Sequence, residues 1–113
     1  MNNTAVFPKS SRLLKSHEYS SMRSGSFSVP GNGFRFICKP ISGSHSQSRL
    51  GIVVSSKVGN AVRRNKIKRL AREEFRKSSF RNPHDFLFIP NRNIDLGSLS
   101  HNLKMFFNKS KEF

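Results

Sequence analysis

The sequence predicts one α+β domain, a mixed sheet of four strands with about three helices. Three observations predict it. Short segments rich in β-branched and aromatic residues lie between turn signals. Longer segments repeat apolar residues at the three- and four-residue spacing of a helix. A chain of 113 residues has room for one core and no second.

The elements follow in order. Residues 1–15 read as a basic N-terminal arm, in which Pro8 biases Phe7 away from helix. Ser16 is a good N-cap for a short helix with Tyr19 and Met22 on one side and Gly25 as its stop. A short strand surrounds Phe27, and Pro30-Gly31-Asn32-Gly33 is a turn. In residues 34–39, Phe34, Phe36 and Cys38 share one face while Arg35, Ile37 and Lys39 share the other, the period of a half-buried strand. After a polar loop at 43–48, residues 49–56 are β-branched and mostly apolar, a more buried strand. Asn60 caps a helix from Ala61 to about Lys77, with an apolar stripe of Ile67, Leu70, Ala71 and Phe75. Residues 85–90 are the next strand, Phe86 and Phe88 on one face, Leu87 and Ile89 on the other. Gly97-Ser98 opens a last helix that buries Leu99, Leu103, Phe106 and Phe107. Thus 16–107 is the globular part and 108–113 a flexible tail. Strand–helix–strand from Leu50 to Pro90 predicts a parallel pair with a crossover, right-handed by the general rule.

Charge narrows the partners. The chain has 21 Lys+Arg against 6 Asp+Glu, a net charge of +15, and so seeks polyanions. One cysteine, Cys38, forms no internal disulfide, and it reads as a small core residue. His17, His45, His84 and His101 sit at no metal-ligand spacing and read as surface or loop residues. No apolar run approaches the ~20 residues of a membrane helix. Residues 1–30 are Ser-rich with one acid, Glu18, a composition shared with transit peptides. No apolar stretch of a secretory signal follows the first basic residues, and the default is a cytoplasmic protein. The acids are dispersed, so no carboxylate pair for metal-dependent cleavage is expected, and no nucleophile set or phosphate loop is present.

Eight of the 21 basic residues lie between Arg63 and Lys77. On a helix, Asn65, Arg69, Arg72 and Arg76 share one narrow face, spaced i, i+4, i+7, i+11, with Lys68 at its edge. A solvated basic face is the bland explanation. Two conflicts argue for more. Like charges at i, i+4 destabilise an isolated helix. Arg63, Arg64 and Lys66 also crowd the helix N-terminus, where the macrodipole disfavours cations. A sequence that keeps both conflicts selects for anion binding, and the Arg fork suits phosphate. The second candidate surface is the sheet face of Arg35, Ile37 and Lys39, with Leu87 and Ile89 beside them and Tyr19 across. Basic and apolar groups together suit single-stranded nucleic acid. Burial of the same apolar residues under a helix fits the pattern equally well.

The segment Lys57-Val58-Gly59-Asn60-Ala61-Val62-Arg63-Arg64-Asn65-Lys66-Ile67-Lys68-Arg69-Leu70-Ala71-Arg72-Glu73-Glu74-Phe75-Arg76 closely resembles the signature of the bacterial ribonuclease P protein subunit, G-N-A-x-x-R-N-R-I-K-R-x-x-R-E-x-F-R. Residues 8–13 and Tyr19 resemble the family's arm and first helix, and residues 51–55 and 85–89 its central strands. The resemblance implies a two-layer α/β sandwich, ribosomal protein S5 domain 2-like, with a left-handed crossover in place of the right-handed one. It implies a subunit that assists a catalytic RNA in the Mg²⁺-dependent removal of the 5′ leader from precursor tRNA. The RNA and its Mg²⁺ do the chemistry, and the protein supplies no catalytic residue and holds no metal itself. Arg64, Asn65, Lys66, Lys68, Arg69, Arg72 and Arg76 would meet the RNA subunit. Arg12, Tyr19, Arg35, Ile37, Ser55, Lys57 and Ile89 would face the leader. The implied partners are the ribonuclease P RNA, in 1:1 ratio, and precursor tRNA, with neither membrane nor DNA.

The chain departs from the pattern at three places. Lys66 replaces the second Arg of the Arg-Asn-Arg triplet, a point charge in place of a fork. Ser56 stands where a Lys is frequent. The segment from Tyr19 to Gly25 is one residue short, and Met22 or Arg23 sits where a second aromatic is common. Two other readings share the composition: a small ribosomal protein, and a DNA-binding protein with the basic helix in a major groove. The second is disfavoured, because the opposite helix face is core and no dimer seam is visible.

Overall fold

This computed structural model describes residues 22–41, 47–111 and 113. The arm at 1–15, Arg12, Tyr19 and the helix expected from Ser16 lie outside the described residues. The chain forms β1 (Phe27–Pro30), β2 (Phe34–Pro40), β3 (Arg49–Ile52), a 3₁₀ turn at Ser56–Val58, α1 (Ala61–Arg76), β4 (His84–Pro90) and α2 (Leu96–Ser110). Two α-helices are therefore present among the described residues.

The four strands make one mixed sheet in the order β1-β2-β4-β3. β1 pairs with β2 and β2 with β4, both antiparallel, with Phe36 opposite Phe88. β3 runs parallel to β4, Leu50 opposite Phe86, and α1 makes the crossover that the strand–helix–strand order requires. Gly33 allows the β1–β2 turn. Its φ is +82°, and a Cβ there would lie 2.6 Å from the Ile94 Cα.

Alternation along the strands decides which face meets the helices. Phe34, Phe36, Cys38, Leu50, Phe86 and Phe88 point to one side and are buried with Ile67, Ala71 and Phe75 of α1 and Leu99, Leu103, Phe106 and Phe107 of α2. Phe36 lies at the centre, fully buried and stacked on Phe106 at 3.9 Å with the rings 5° from parallel. Each fully buried Phe contributes on the order of 1.5–3 kcal/mol from area alone, and the ring pairs add geometry-specific attraction.

Several boundaries differ from the sequence expectation. β3 ends at Ile52 and not at residue 56. The Val53 N–H still donates to the Phe88 carbonyl at 3.0 Å, but the chain then turns, and the Val58 N–H bonds the Ser55 carbonyl. On α1, Leu70 is only half-buried, whereas Glu74 is buried. The reason is α2, which lies on that side and sets the Ser100 hydroxyl 3.2 Å from the Glu74 carboxylate, with Lys77 at 3.8 Å. α2 starts at Leu96, capped by Asp95, whose carboxylate accepts from the Gly97 N–H and the Ser98 hydroxyl. The last helix extends into the segment expected as a tail, as far as Ser110. The helix runs through a buried Ser110, and the Phe113 ring meets Phe27 at 5.3 Å and His84 at 5.6 Å. His84 is thereby a buried residue and not a surface one. Among the described residues no helix is long and apolar enough to cross a membrane.

Candidate nucleic-acid interface

α1 carries the first predicted surface. Asn60 caps it by accepting the Arg63 N–H at 2.9 Å, as the sequence requires. The inward face, Ile67, Ala71, Glu74 and Phe75, locks the helix to the core. That fixes the rotation of the outward face. Asn65, Lys66 and Arg69 are exposed, and Arg64, Lys68, Arg72 and Arg76 are half-buried along its flanks. Arg69 stands near the middle of the solvent face, opposite the Ile67–Ala71 line. The Arg64 Nε donates to the Gly59 carbonyl at 3.1 Å, which holds the guanidinium at the helix start. Val62, 78 % exposed, lies among these polar groups at i−3 to Asn65 and i−7 to Arg69.

The second surface is the sheet face turned away from the helices. Register places Arg35 beside Ile89, Ile37 beside Leu87 and Lys39 beside Asp85. The apolar members form a small cluster: Met22 and Leu87 are buried, with Ile37 and Ile89 packed against them. The structure thus divides this face. Leu87 belongs to packing beneath Met22, while Arg35 is exposed and Ile37 and Ile89 are half-buried at the edge of the cluster. Ser55 and Lys57 are exposed on the segment that leaves β3 beside the end of β4. Arg12 and Tyr19 lie outside the described residues.

The two surfaces meet at one end of the molecule. β3 and β4 run parallel, so Ser55 and Lys57 emerge near Ile89, whose β2 neighbour is Arg35. The α1 N-terminus is tied to the same end, because the Arg63 guanidinium donates from Nε to the Val58 carbonyl at 2.9 Å and from Nη2 to the Ile94 carbonyl at 2.6 Å. Arg35, Ser55, Lys57, Ile89, Arg64 and Asn65 therefore collect around one end, and Lys68, Arg69, Arg72 and Arg76 lead away along α1. A surface of this kind offers cations for phosphate and a half-apolar strip for unpaired bases.

The remaining polar groups have other tasks. Asp85 is buried and held by a two-pronged pair with Arg49, at 2.9 and 2.7 Å. Burial pushes the Cys38 thiol up to about 12, which leaves it protonated and inert. Among the described residues no group of three His, Cys, Asp or Glu side chains is placed to hold a metal ion. Sequence reasoning counted Arg63 with the charges at the helix start and missed its two carbonyl bonds. A signal was present: at 100° per residue it falls beside Leu70 and Glu74, toward the second helix rather than the basic face.

The chain matches the family described as Ribonuclease P over residues 7–111. It is 42% identical over 72 residues to the ribonuclease P protein component of Citrifermentans bemidjiense, covering 64% of this chain and 60% of that one. It is 38% identical over 92 residues to the ribonuclease P protein component of Chromohalobacter salexigens, covering 79% and 70%. The match therefore spans only about six tenths of the first of these relatives. Among solved structures, the Staphylococcus aureus RNase P protein superposes with a TM-score of 0.76 at 28% identity, covering 90% of this chain and 98% of that one. The RNase P protein of Thermotoga maritima gives 0.70 at 27% identity, covering 87% and 96%.

Proposed function

Because this chain belongs to the ribonuclease P family, matched over residues 7–111, we propose that it is the protein subunit of a bacterial ribonuclease P. It binds the catalytic RNA and the 5′ leader of precursor tRNA and assists endonucleolytic removal of the leader. The observation that carries this reading is the α1 face of Asn65, Lys66 and Arg69 flanked by Arg64, Lys68, Arg72 and Arg76. Its rear is core, so the charges keep one orientation toward a phosphate backbone. Arg35, Ile37, Ser55, Lys57 and Ile89, together with Arg12 and Tyr19, face the leader.

Cleavage belongs to the RNA. Three of the four described acids have other tasks: Asp85 is held by Arg49, Glu74 is bonded to Ser100, and Asp95 caps α2. Mg²⁺ would come with the RNA and substrate, where it would activate a water and offset charge on the leaving oxygen. The chain's part is electrostatic and positional, with one copy per RNA subunit, in the cytoplasm. The S5-like fold and the left-handed sense of the β3–α1–β4 crossover belong to the same reading.

The test is cleavage of a precursor tRNA at low Mg²⁺ by a bacterial ribonuclease P RNA, alone and with this protein. Rescue at stoichiometric protein, with the correct mature 5′ end, supports the subunit role. Tight binding without rescue by any of several bacterial RNA subunits refutes it in favour of a general RNA-binding module.

A further inference from the structure

Not every cation at the start of α1 faces solvent. Arg63 is half-buried, and its guanidinium bridges two segments 36 residues apart in sequence: Val58 at the end of the 3₁₀ turn, and Ile94 just before α2. Its stem runs along Gly59, where an added Cβ would lie 2.4 Å from the Arg63 Cδ. Ile94 is itself buried in the core and backed by Gly33. Arg63 thus joins the loop carrying Ser55 and Lys57, the helix start carrying Arg64 and Asn65, and the β4–α2 connection.

We propose that Arg63 is a positioning residue and not an RNA contact, one that sets the angle between the Ser55–Lys57 loop and the basic face of α1. The inference rests on the subunit reading above. The chemistry needs Arg in particular. Two donors set apart on a rigid plane reach two carbonyls in different directions, whereas the Lys ammonium is a point on a flexible stem and holds one. The basic run at 63–64 therefore has divided roles. Arg64 makes one carbonyl bond, to its own helix start, whereas Arg63 makes two, one of them across to the β4–α2 connection.

The test compares wild type with Arg63→Lys and Arg63→Gln, titrated against a bacterial ribonuclease P RNA transcript across a salt series. Both variants are expected to weaken binding, on the order of tenfold, with the slope of log K against log salt unchanged. A phosphate contact behaves differently. Its loss in Arg63→Gln lowers the slope by about 0.9 or somewhat less, and Arg63→Lys restores affinity. Either of those results overturns the proposal, as does wild-type affinity in both variants. Where Arg63→Gln fails to fold, Arg63→Lys alone decides, since wild-type binding by it refutes the need for the fork. Amide exchange on the free proteins supplies a second readout. Arg63→Lys is expected to raise exchange at 55–59 and 94–97 together, and unchanged protection at both segments overturns the proposal. Failure of the wild type to bind the transcript sinks the subunit reading, and the exchange measurement still decides the role of Arg63.

Discussion

Replacing Arg69 by Ala probes the basic face near its middle, at an exposed position. The face carries six cations, Arg64, Lys66, Lys68, Arg69, Arg72 and Arg76. If each meets one phosphate, log K falls against log salt with a slope of about −5.4, from about 0.9 per contact in duplex regions. A rise from ~50 to ~200 mM salt then weakens binding by about three orders of magnitude. Arg69→Ala brings the slope to about −4.5, so the same rise in salt costs the variant about 3.5-fold less than the wild type. Arg69→Lys keeps the charge and the slope. The assay is a fluorescence-anisotropy titration of labelled ribonuclease P RNA at fixed low Mg²⁺. Arg69 points away from Ile67 and Ala71, so the variant's thermal unfolding should match the wild type. An Arg69→Ala slope equal to that of the wild type refutes the phosphate role of this face.

Other substitutions test the scaffold. Phe36→Ala removes the ring at the centre of the Phe cluster and should cost about 3–5 kcal/mol by urea unfolding; a loss below ~1 kcal/mol would contradict the packing described around it. Gly33→Ala forces a Cβ to 2.6 Å from the Ile94 backbone at φ +82° and should cost at least 1–3 kcal/mol, roughly. Gly97→Ala meets only the Asp95 carboxylate, at 3.6 Å, and should stabilise by about 0.4–1 kcal/mol, so equal effects of the two would contradict the geometry. The Cys38 thiol, pushed from 9.0 up to about 12, should ignore a thiol reagent at pH 8 until the chain is unfolded. Because the folded state favours the protonated thiol, its contribution to stability is complete below pH 9.0 and declines as pH climbs towards about 12. A flat stability in Cys38→Ala against a falling one in wild type over that range is the expected pair of curves.

The sheet and both described helices were legible because their patterns are local. Phe34, Phe36 and Cys38 alternate with Arg35, Ile37 and Lys39, and on β4 the same rule sorts Phe86 and Phe88 from Leu87 and Ile89. The spacing of Asn65, Arg69, Arg72 and Arg76 likewise settles which side of α1 can face a partner once Ile67 and Ala71 are inside. What stayed hidden depends on distant partners. Glu74 is buried because Ser100 lies across from it, and Arg63 turns inward because carbonyls at 58 and 94 converge there. Leu87 is covered by Met22, and the i, i+3 spacing that puts Met22 beside Tyr19 does not say which part of the sheet that side meets. Phe113 looks like a frayed end in sequence, yet Phe27 and His84 receive it.

The burial of one side of α1 has a thermodynamic meaning for whatever RNA it meets. The helix is capped by Asn60, bolted by Arg63 and packed along Ile67, Ala71 and Phe75, so its backbone is ordered before any partner arrives. From Asn65 to Arg76 it is a straight template about 16 Å long. In the proposed complex this face would order its side-chain rotamers, and the nucleic acid would adapt its path to it. A large share of the free energy of that complex would come from ions leaving the RNA's atmosphere. Val62 and the strip of Ile37 and Ile89 are apolar groups still open to solvent, so a negative heat-capacity change on binding would report their burial.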